Sequence, residues 1–165
     1  MAKWSASQTN WTPVAVADTT NFTNSGYLAL QGGSSTQLLK IWEVKMGGLA
    51  AASAPAQMML AHDSTVGATG LSGGLNTALK ASTAALAAPP NIFSTSTTKP
   101  QRSSSLQLLA CGFNANGGIF RWVAFDESEC PEVLGNTASL GEVSLSHLSS
   151  GTPGLIDSHI IYEPM

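Results

Sequence analysis

The chain has 165 residues and a mass of 17.0 kDa, the size of one ordinary domain. Charged residues make up only 10% of it, and 7 scattered basic side chains cannot form a patch that neutralises several phosphates, so direct nucleic-acid binding is not expected. The longest apolar run, residues 84–88, is far shorter than the roughly 20 residues of a membrane-spanning helix.

Serine and threonine number 36, and 16 Gly and 8 Pro accompany them. Short strands joined by many turns suit this mixture better than long helices do. The predicted fold is mainly β: an antiparallel β-sandwich or jelly-roll with long loops and at most one short helix. Two cysteines, Cys111 and Cys130, are too few for a disulfide scaffold and are predicted to be buried thiols, with a single bridge as the alternative.

The N-terminal segment, residues 1–26, is rich in Ser, Thr and Asn but contains Trp4 and Trp11. We predict that it is a docking arm and that residues 27–165 form a single β-sandwich domain. The two tryptophans could be buried against the body of the domain, against a neighbouring subunit, or within a locally packed terminus. Both are candidate interface residues. No apolar segment follows Met1 to Ser5, so no secretory signal is expected.

Two strands are predicted next. In the first, Gln37–Met46, alternation places every second residue from Leu39 to Lys45 on one face, and a glycine pair ends the strand. Its charged residues indicate a solvated face or an edge position. The second strand lies near Gln57–His62, after which a glycine-rich loop is predicted to begin with His62-Asp63-Ser64.

The middle of the chain gives three predictions. A short helix is expected over Leu75–Ala88, because leucines recur near helical spacing among alanines. Ser94–Ser105 has few apolar side chains and is expected to be a loop. The β-rich runs 106–113 and 119–125 flank Asn116-Gly117, which is typical of a tight reversal, so they are predicted to pair as a hairpin.

Arg121 lies in the second of these runs, whose two faces are largely apolar, so the strand is predicted to be central and the guanidinium to need a partner. Glu43, Glu142 or Glu163 could supply it within the domain, which we favour, or an acidic residue of an adjoining subunit could. Arg121 is therefore the third candidate interface residue. A solvated acidic loop is predicted near Cys130, followed by strands at 141–146 and 155–163.

No catalytic, cofactor-binding or metal site is predicted. The histidines, His62, His147 and His159, show no recognised ligand or triad spacing. A hydrolase that uses Asp63 or His159 is the weakest hypothesis, although His159 shares a strand face with Asp157.

A resemblance to a known family is carried by six segments: IWEVKMGG at 41–48, APAQMMLAHDSTVG at 54–67, PQRS at 100–103, NANGGIFRWVA at 114–124, GNTASLGEVSLS at 135–146 and SHIIYEP at 158–164. Together they resemble a family of tailed-phage virion proteins, small β-rich products associated with the head. The resemblance spans most of residues 37–165 and leaves out the leader through residue 26. It implies a structural role as a capsid decoration or cement protein, with no catalytic residues.

The resemblance implies a protein of the virion, assembled in the host cytoplasm, whose partners are the major capsid protein and copies of itself. A surface rich in hydroxyl groups and poor in charge suits close subunit contact, so a homo-oligomer is predicted, most simply a trimer. No cofactor, nucleic acid or membrane partner is expected. The alternative is a carbohydrate-binding or host-recognition module, with Trp4, Trp11, Trp42 and Trp122 as stacking surfaces.

Overall fold

The computed structural model describes residues 2–13, 21–22, 26–71, 75–93, 95–137, 139–151 and 153–165. A single 3-10 turn, Glu127–Glu129, is the helical element of these residues. Their strands, in chain order, are β1 (Trp4–Trp11), β2 (Leu28–Gln31), β3 (Leu38–Gly48), β4 (Pro55–Thr65), β5 (Ala68–Leu71), β6 (Leu75–Ala78), β7 (Asn91–Phe93), β8 (Thr95–Thr98), β9 (Gln101–Asn114), β10 (Ile119–Val123), β11 (Glu132–Leu134), β12 (Glu142–Gly151) and β13 (Ile156–Pro164).

The strands form two main antiparallel sheets. Sheet A has six strands, in the order β10-β3-β13-β1-β6, with β11 also paired to β3. Sheet B has five strands, in the order β7-β2-β12-β4-β9, and β5 pairs with β8 in a separate two-stranded ribbon. Apolar residues of both sheets meet in one buried cluster, which confirms the predicted β-sandwich.

The core lies between the sheets because every second residue of the inner strands is apolar. Sheet A contributes Leu39, Ile41, Val44, Met46, Ile160 and Tyr162 to the core. Sheet B contributes Leu28, Leu30, Met58, Leu60, Val143 and Leu145. A smaller cluster covers the opposite face of β2, where the stacked rings of Phe22 and Tyr27 lie 4.9 Å apart beside Ala29. Sheet B is therefore covered on both faces at β2.

The N-terminal segment is part of the sandwich where it is described. β1 lies inside sheet A, paired with β13 on one side and β6 on the other. The predicted boundary near residue 26 therefore does not separate Trp4–Trp11 from the domain. Residue 1, residues 14–20 and residues 23–25 of the predicted arm lie outside the described residues.

The predicted strand at 37–46 is confirmed as β3, but its predicted faces are wrong. Ile161 pairs with Glu43 while Tyr162 pairs with Ile41, so Trp42 is an extra residue in β3. This bulge reverses the alternation and brings Ile41 and Val44 to the same core face. β3 is also an inner strand, so its charges do not mark an edge; Lys45 is exposed, whereas Lys40 and Glu43 are largely buried in ion pairs.

The predicted hairpin is wrong. β9 pairs with β4 in sheet B and β10 pairs with β3 in sheet A, so Asn116-Gly117 turns the chain from one sheet to the other. The type I′ hairpin turn that Asn-Gly favours needs positive φ at both residues, and here only Gly117, at 69°, has it. The turn is held by the β3–β4 connection, where the Gly48 N–H donates to Gly118 O at 2.8 Å and the Ala50 N–H donates to Ala115 O at 2.8 Å.

The predicted helix at 75–88 is also wrong. Its first residues form β6, which pairs with β1, and the rest is a bent segment in which most alanines are exposed. Alanine's helix propensity is weak without an apolar face to bury, so strand pairing prevails. The predicted loop at 94–105, of which residue 94 lies outside the described residues, contains β8 and the start of β9, since threonine is favoured in strands.

The strands predicted near 57–62, 141–146 and 155–163 are confirmed as β4, β12 and β13. β4 is longer than predicted and ends at Thr65, so His62-Asp63-Ser64 lies in the strand and does not open a loop. Residues 72–74 of the predicted glycine-rich loop lie outside the described residues. None of the described residues form a helix that is long and apolar enough to cross a membrane.

Candidate interaction surface at the edge of sheet A

β10 is an edge strand of sheet A, so the prediction that it is central is wrong. Ile119, Arg121 and Val123 are exposed, whereas Phe120 and Trp122 alternate with them and pack against the core. Within the described part of the chain, no strand pairs with the free side of β10. The sequence predicted a central strand because apolar residues on both faces are typical of a buried strand. In the structure, one of these apolar faces is exposed to solvent.

Large apolar side chains are exposed along this edge. β11 pairs with β3 next to β10, and the Leu134 N–H donates to Leu140 O at 2.8 Å, which folds Leu140 back beside β11. Phe125 is 89% exposed and Ile119 is 77% exposed. We call the following set the apolar edge: Ile119, Val123, Phe125, Leu134 and Leu140. Exposed apolar side chains on an unpaired strand are a common feature of protein interaction sites.

Arg121 is tied to its own chain. Its Nε donates to Glu43 Oε1 and its Nη2 donates to Glu43 Oε2, both at 2.9 Å. The prediction of a partner within the domain is confirmed, with Glu43 as the partner. This hydrogen-bonded ion pair lowers the pKa of Glu43, and His159, whose Nε2 lies 3.6 Å from Oε1, adds to the effect. The one cation of β10 is thus neutralised locally.

The acidic segment after β10 holds Phe125 in place. Asp126 caps the 3-10 turn by accepting from the Ser128 N–H at 2.8 Å, and Glu129 Oε2 accepts from the Phe125 N–H at 2.8 Å. Lys40 forms an ion pair with Glu127 and joins the segment to β3. The predicted solvated loop is exposed as expected, but its backbone is anchored, so the ring of Phe125 projects from a fixed base.

The tryptophan candidates do not lie at this edge. Trp4 is 9% exposed and Trp11 is 4% exposed, and both belong to the main core. Trp11 Nε1 donates to Ser158 Oγ at 3.0 Å. Since β3 and β13 separate β1 from β10, the structure does not bring Trp4 and Trp11 together with Arg121. Burial in the body of the domain, one of the predicted alternatives, accounts for both.

The other two tryptophans, Trp42 and Trp122, are half-buried. Lys3 Nζ lies 3.6 Å from the centre of a Trp42 ring, and Trp42 Nε1 donates to Glu163 Oε2 at 2.9 Å. Trp42 and Trp122 are thus the tryptophans that keep part of the ring exposed, and Lys3 lies over the ring of Trp42.

The residues weighed for hydrolysis lie apart. Asp63 is fully buried in β4 of sheet B, whereas His159 is in β13 of sheet A. Asp157 Oδ1 accepts from the Asn10 N–H at 2.7 Å. The described residues contain no group of three His, Cys, Asp or Glu side chains that could hold a metal ion.

Both cysteines are free thiols, as predicted, although Cys111 is only half-buried and Cys130 is buried. Burial raises the pKa of Cys111 to about 11, so this thiol stays protonated at neutral pH and is a poor nucleophile. Cys130 Sγ lies 3.7 Å from Asp126 O, which places the second thiol against the acidic segment.

Comparison with models of protein families, with curated proteins and with solved structures found no match to this chain. The resemblance to tailed-phage head proteins therefore stays a prediction that depends on the sequence segments that carry it. The surface that the structure adds to that prediction is the apolar edge.

Proposed function

We propose that this chain is a structural, non-enzymatic virion protein that binds and stabilises a phage capsid as a decoration or cement subunit. In this proposal the protein acts as a homo-oligomer, most simply a trimer, and its partner is the major capsid protein. The observation that carries the proposal is the apolar edge, five large apolar side chains at an unpaired edge of sheet A.

Several features of the edge support burial between copies of the chain. Edge strands of monomeric proteins are usually protected by charged side chains, proline or a bulge, and β10, IFRWV, has no proline, no bulge and a single charge at Arg121. Arg121 is paired with Glu43, so a second copy would meet little uncompensated charge. The anchored backbone at Phe125 lowers the conformational entropy that association has to overcome.

The composition supports the same role. Few lysines and glutamates leave little long-range repulsion between copies, and serine and threonine hydroxyl groups can hydrogen-bond at close contacts. An oligomer would also contact several shell subunits at once, which raises its apparent affinity over that of a single copy.

The proposal is tested by mixing the purified protein with empty shells of the major capsid protein and measuring co-sedimentation. We expect the wild-type protein to pellet with the shells and to raise their melting temperature. The double variant Ile119→Ser/Phe125→Ser should stay largely in the supernatant.

A matched control is Leu79→Ser, since Leu79 is 50% exposed next to β6, the opposite edge of sheet A. This variant should pellet like the wild type. A wild-type protein that stays in the supernatant with intact shells would argue against a capsid role, and equal pelleting of both variants would argue against the apolar edge.

A further inference from the structure

A row of polar side chains crosses sheet B on the face turned away from the main core. Strand register places them side by side. Between β12 and β4, Val143 pairs with His62, so Glu142 lies beside Asp63. The row is Asn91 on β7, Gln31 on β2, Glu142 on β12, Asp63 on β4 and Arg102 on β9.

Hydrogen bonds join the first half of the row to the connection between β4 and β5. Asn91 Nδ2 donates to Gln31 Oε1 at 3.1 Å, and Gln31 Nε2 donates to Glu142 Oε2 at 3.0 Å. The same carboxyl oxygen accepts from the Gly67 N–H at 2.7 Å, and Gln31 Nε2 also donates to Gly67 O at 3.1 Å. Glu142 therefore holds Gly67, the residue just before β5, against sheet B.

The second half of the row contains two buried acids in contact. The side chains of Asp63 and Glu142 are fully buried at adjacent positions of neighbouring strands, so a proton on either acid can hydrogen-bond to the other. Ser144 Oγ donates to Asp63 Oδ1 at 2.6 Å. The other oxygens, Asp63 Oδ2 and Glu142 Oε1, have no N–H or O–H donor among the described residues. A proton on one of the two acids is what allows such a hydrogen bond, because two ionised carboxylates would repel and leave both oxygens without a donor.

We propose that Asp63 keeps this proton in mildly alkaline solution, donates a hydrogen bond through it to an ionised Glu142, and thereby locks the β4–β5 connection onto sheet B. The assignment follows from the donors: two N–H groups point at Glu142 Oε2 and favour its charged form, whereas Asp63 accepts from one hydroxyl group. Burial raises the pKa of Asp63 well above its ordinary value and raises the pKa of Glu142 to about 7.

The charged and titratable neighbours agree with one proton on the pair. Arg102 is buried on β9 directly opposite Asp63 and lowers the pKa of Asp63, but burial and the neighbouring Glu142 outweigh it and raise that pKa. His62 Nδ1 lies 3.3 Å from the backbone oxygen of Glu142, and burial lowers the pKa of His62, so it is neutral in alkaline solution. β2 presents only the neutral Gln31. Loss of the last proton would leave two negative charges against one Arg102 and weaken the hold on Gly67.

The proton is located by following the side-chain carboxyl carbons of Asp63 and Glu142 by NMR over a pH titration of the full wild-type chain. At about pH 8 we expect the carboxyl carbon of Asp63 at its protonated position and that of Glu142 at its ionised position. An ionised Asp63 at this pH would overturn the proposal, and so would a protonated Glu142.

The lock is tested by amide hydrogen exchange at Gly67 in variants of Asp63. Asp63→Asn keeps an N–H donor toward Glu142 and should leave Gly67 protected even where the wild type loses protection at high pH. Asp63→Ala removes the donor and should lose that protection, and Glu132→Gln serves as a control that should match the wild type. Equal exchange rates of the Gly67 amide in Asp63→Asn and Asp63→Ala would overturn the lock. If either variant fails to fold, the NMR titration of the wild type still decides which acid carries the proton.

Discussion

Replacing Phe125 with serine tests the apolar edge directly, because this ring is the most exposed of the large apolar side chains. Full burial of a phenylalanine side chain contributes about 2 kcal/mol, so each contact that buries Phe125 should weaken by about 30-fold in dissociation constant. The fold should tolerate the change, since Phe125 is 89% exposed and the anchoring bond to Glu129 uses only the backbone N–H.

Sedimentation equilibrium over a range of concentrations is the assay. The wild type should show a mass above that of one chain, and Phe125→Ser should reach the same mass only at a concentration at least about 30-fold higher, because a trimer loses this factor at each of its contacts. Leu79→Ser, at the other edge of sheet A, should behave like the wild type. A wild type that remains monomeric, or a Phe125→Ser variant with unchanged association, would refute the reasoning.

Three further predictions concern stability and charge. Burial raises the pKa of Glu142 from 4.5 to about 7, so the stability that the protonated Glu142 contributes is complete below pH 4.5 and is lost as pH rises to 7. Urea unfolding should therefore show that this group loses about 3 kcal/mol of the free energy of unfolding across that window. An unchanged unfolding midpoint would contradict this. Gly48→Ala should lower the free energy of unfolding by about 1–3 kcal/mol, since its Cβ would lie 2.3 Å from a backbone oxygen, whereas Gly47→Ala meets nothing within 4 Å and should be neutral by the same urea assay. Arg121→Ala should raise the pKa of Glu43 toward its ordinary value in an NMR titration with little change in the unfolding midpoint, and an unmoved pKa would count against the ion pair.

The sequence predicts the sandwich well where alternation and β-rich composition agree. β4, β12 and β13 each lie close to the predicted position because short apolar or alternating runs mark them and turn residues bound them. The partner of Arg121 could also be predicted from the sequence, because a guanidinium on a strand needs a carboxylate and the chain has few of them.

The errors have a shared physical cause, which is that the decisive contacts are made by residues far apart in the chain. Asn116-Gly117 is a good reversal signal, but whether the next strand returns to its neighbour or crosses to the other sheet depends on the loop at Gly48. The bulge at Trp42 depends on the register with β13, which no local pattern specifies.

The apolar edge and the buried acid pair were both missed. Ile119 and Val123 look like core residues in the sequence, and only the position of β10 in its sheet shows that they are exposed. Asp63 and Glu142 are 79 positions apart, as their residue numbers show, and meet only because β4 pairs with β12. A polar residue at the end of a predicted strand is ordinarily solvated, so nothing local pointed to their burial.

The most direct test of a capsid role is electron cryomicroscopy of empty shells of the major capsid protein, imaged with and without the added chain. The proposal predicts extra density on the shell surface at symmetric positions, with several copies of the sandwich in contact through the edge that carries Phe125. Shells that show no added density at saturating protein would contradict it.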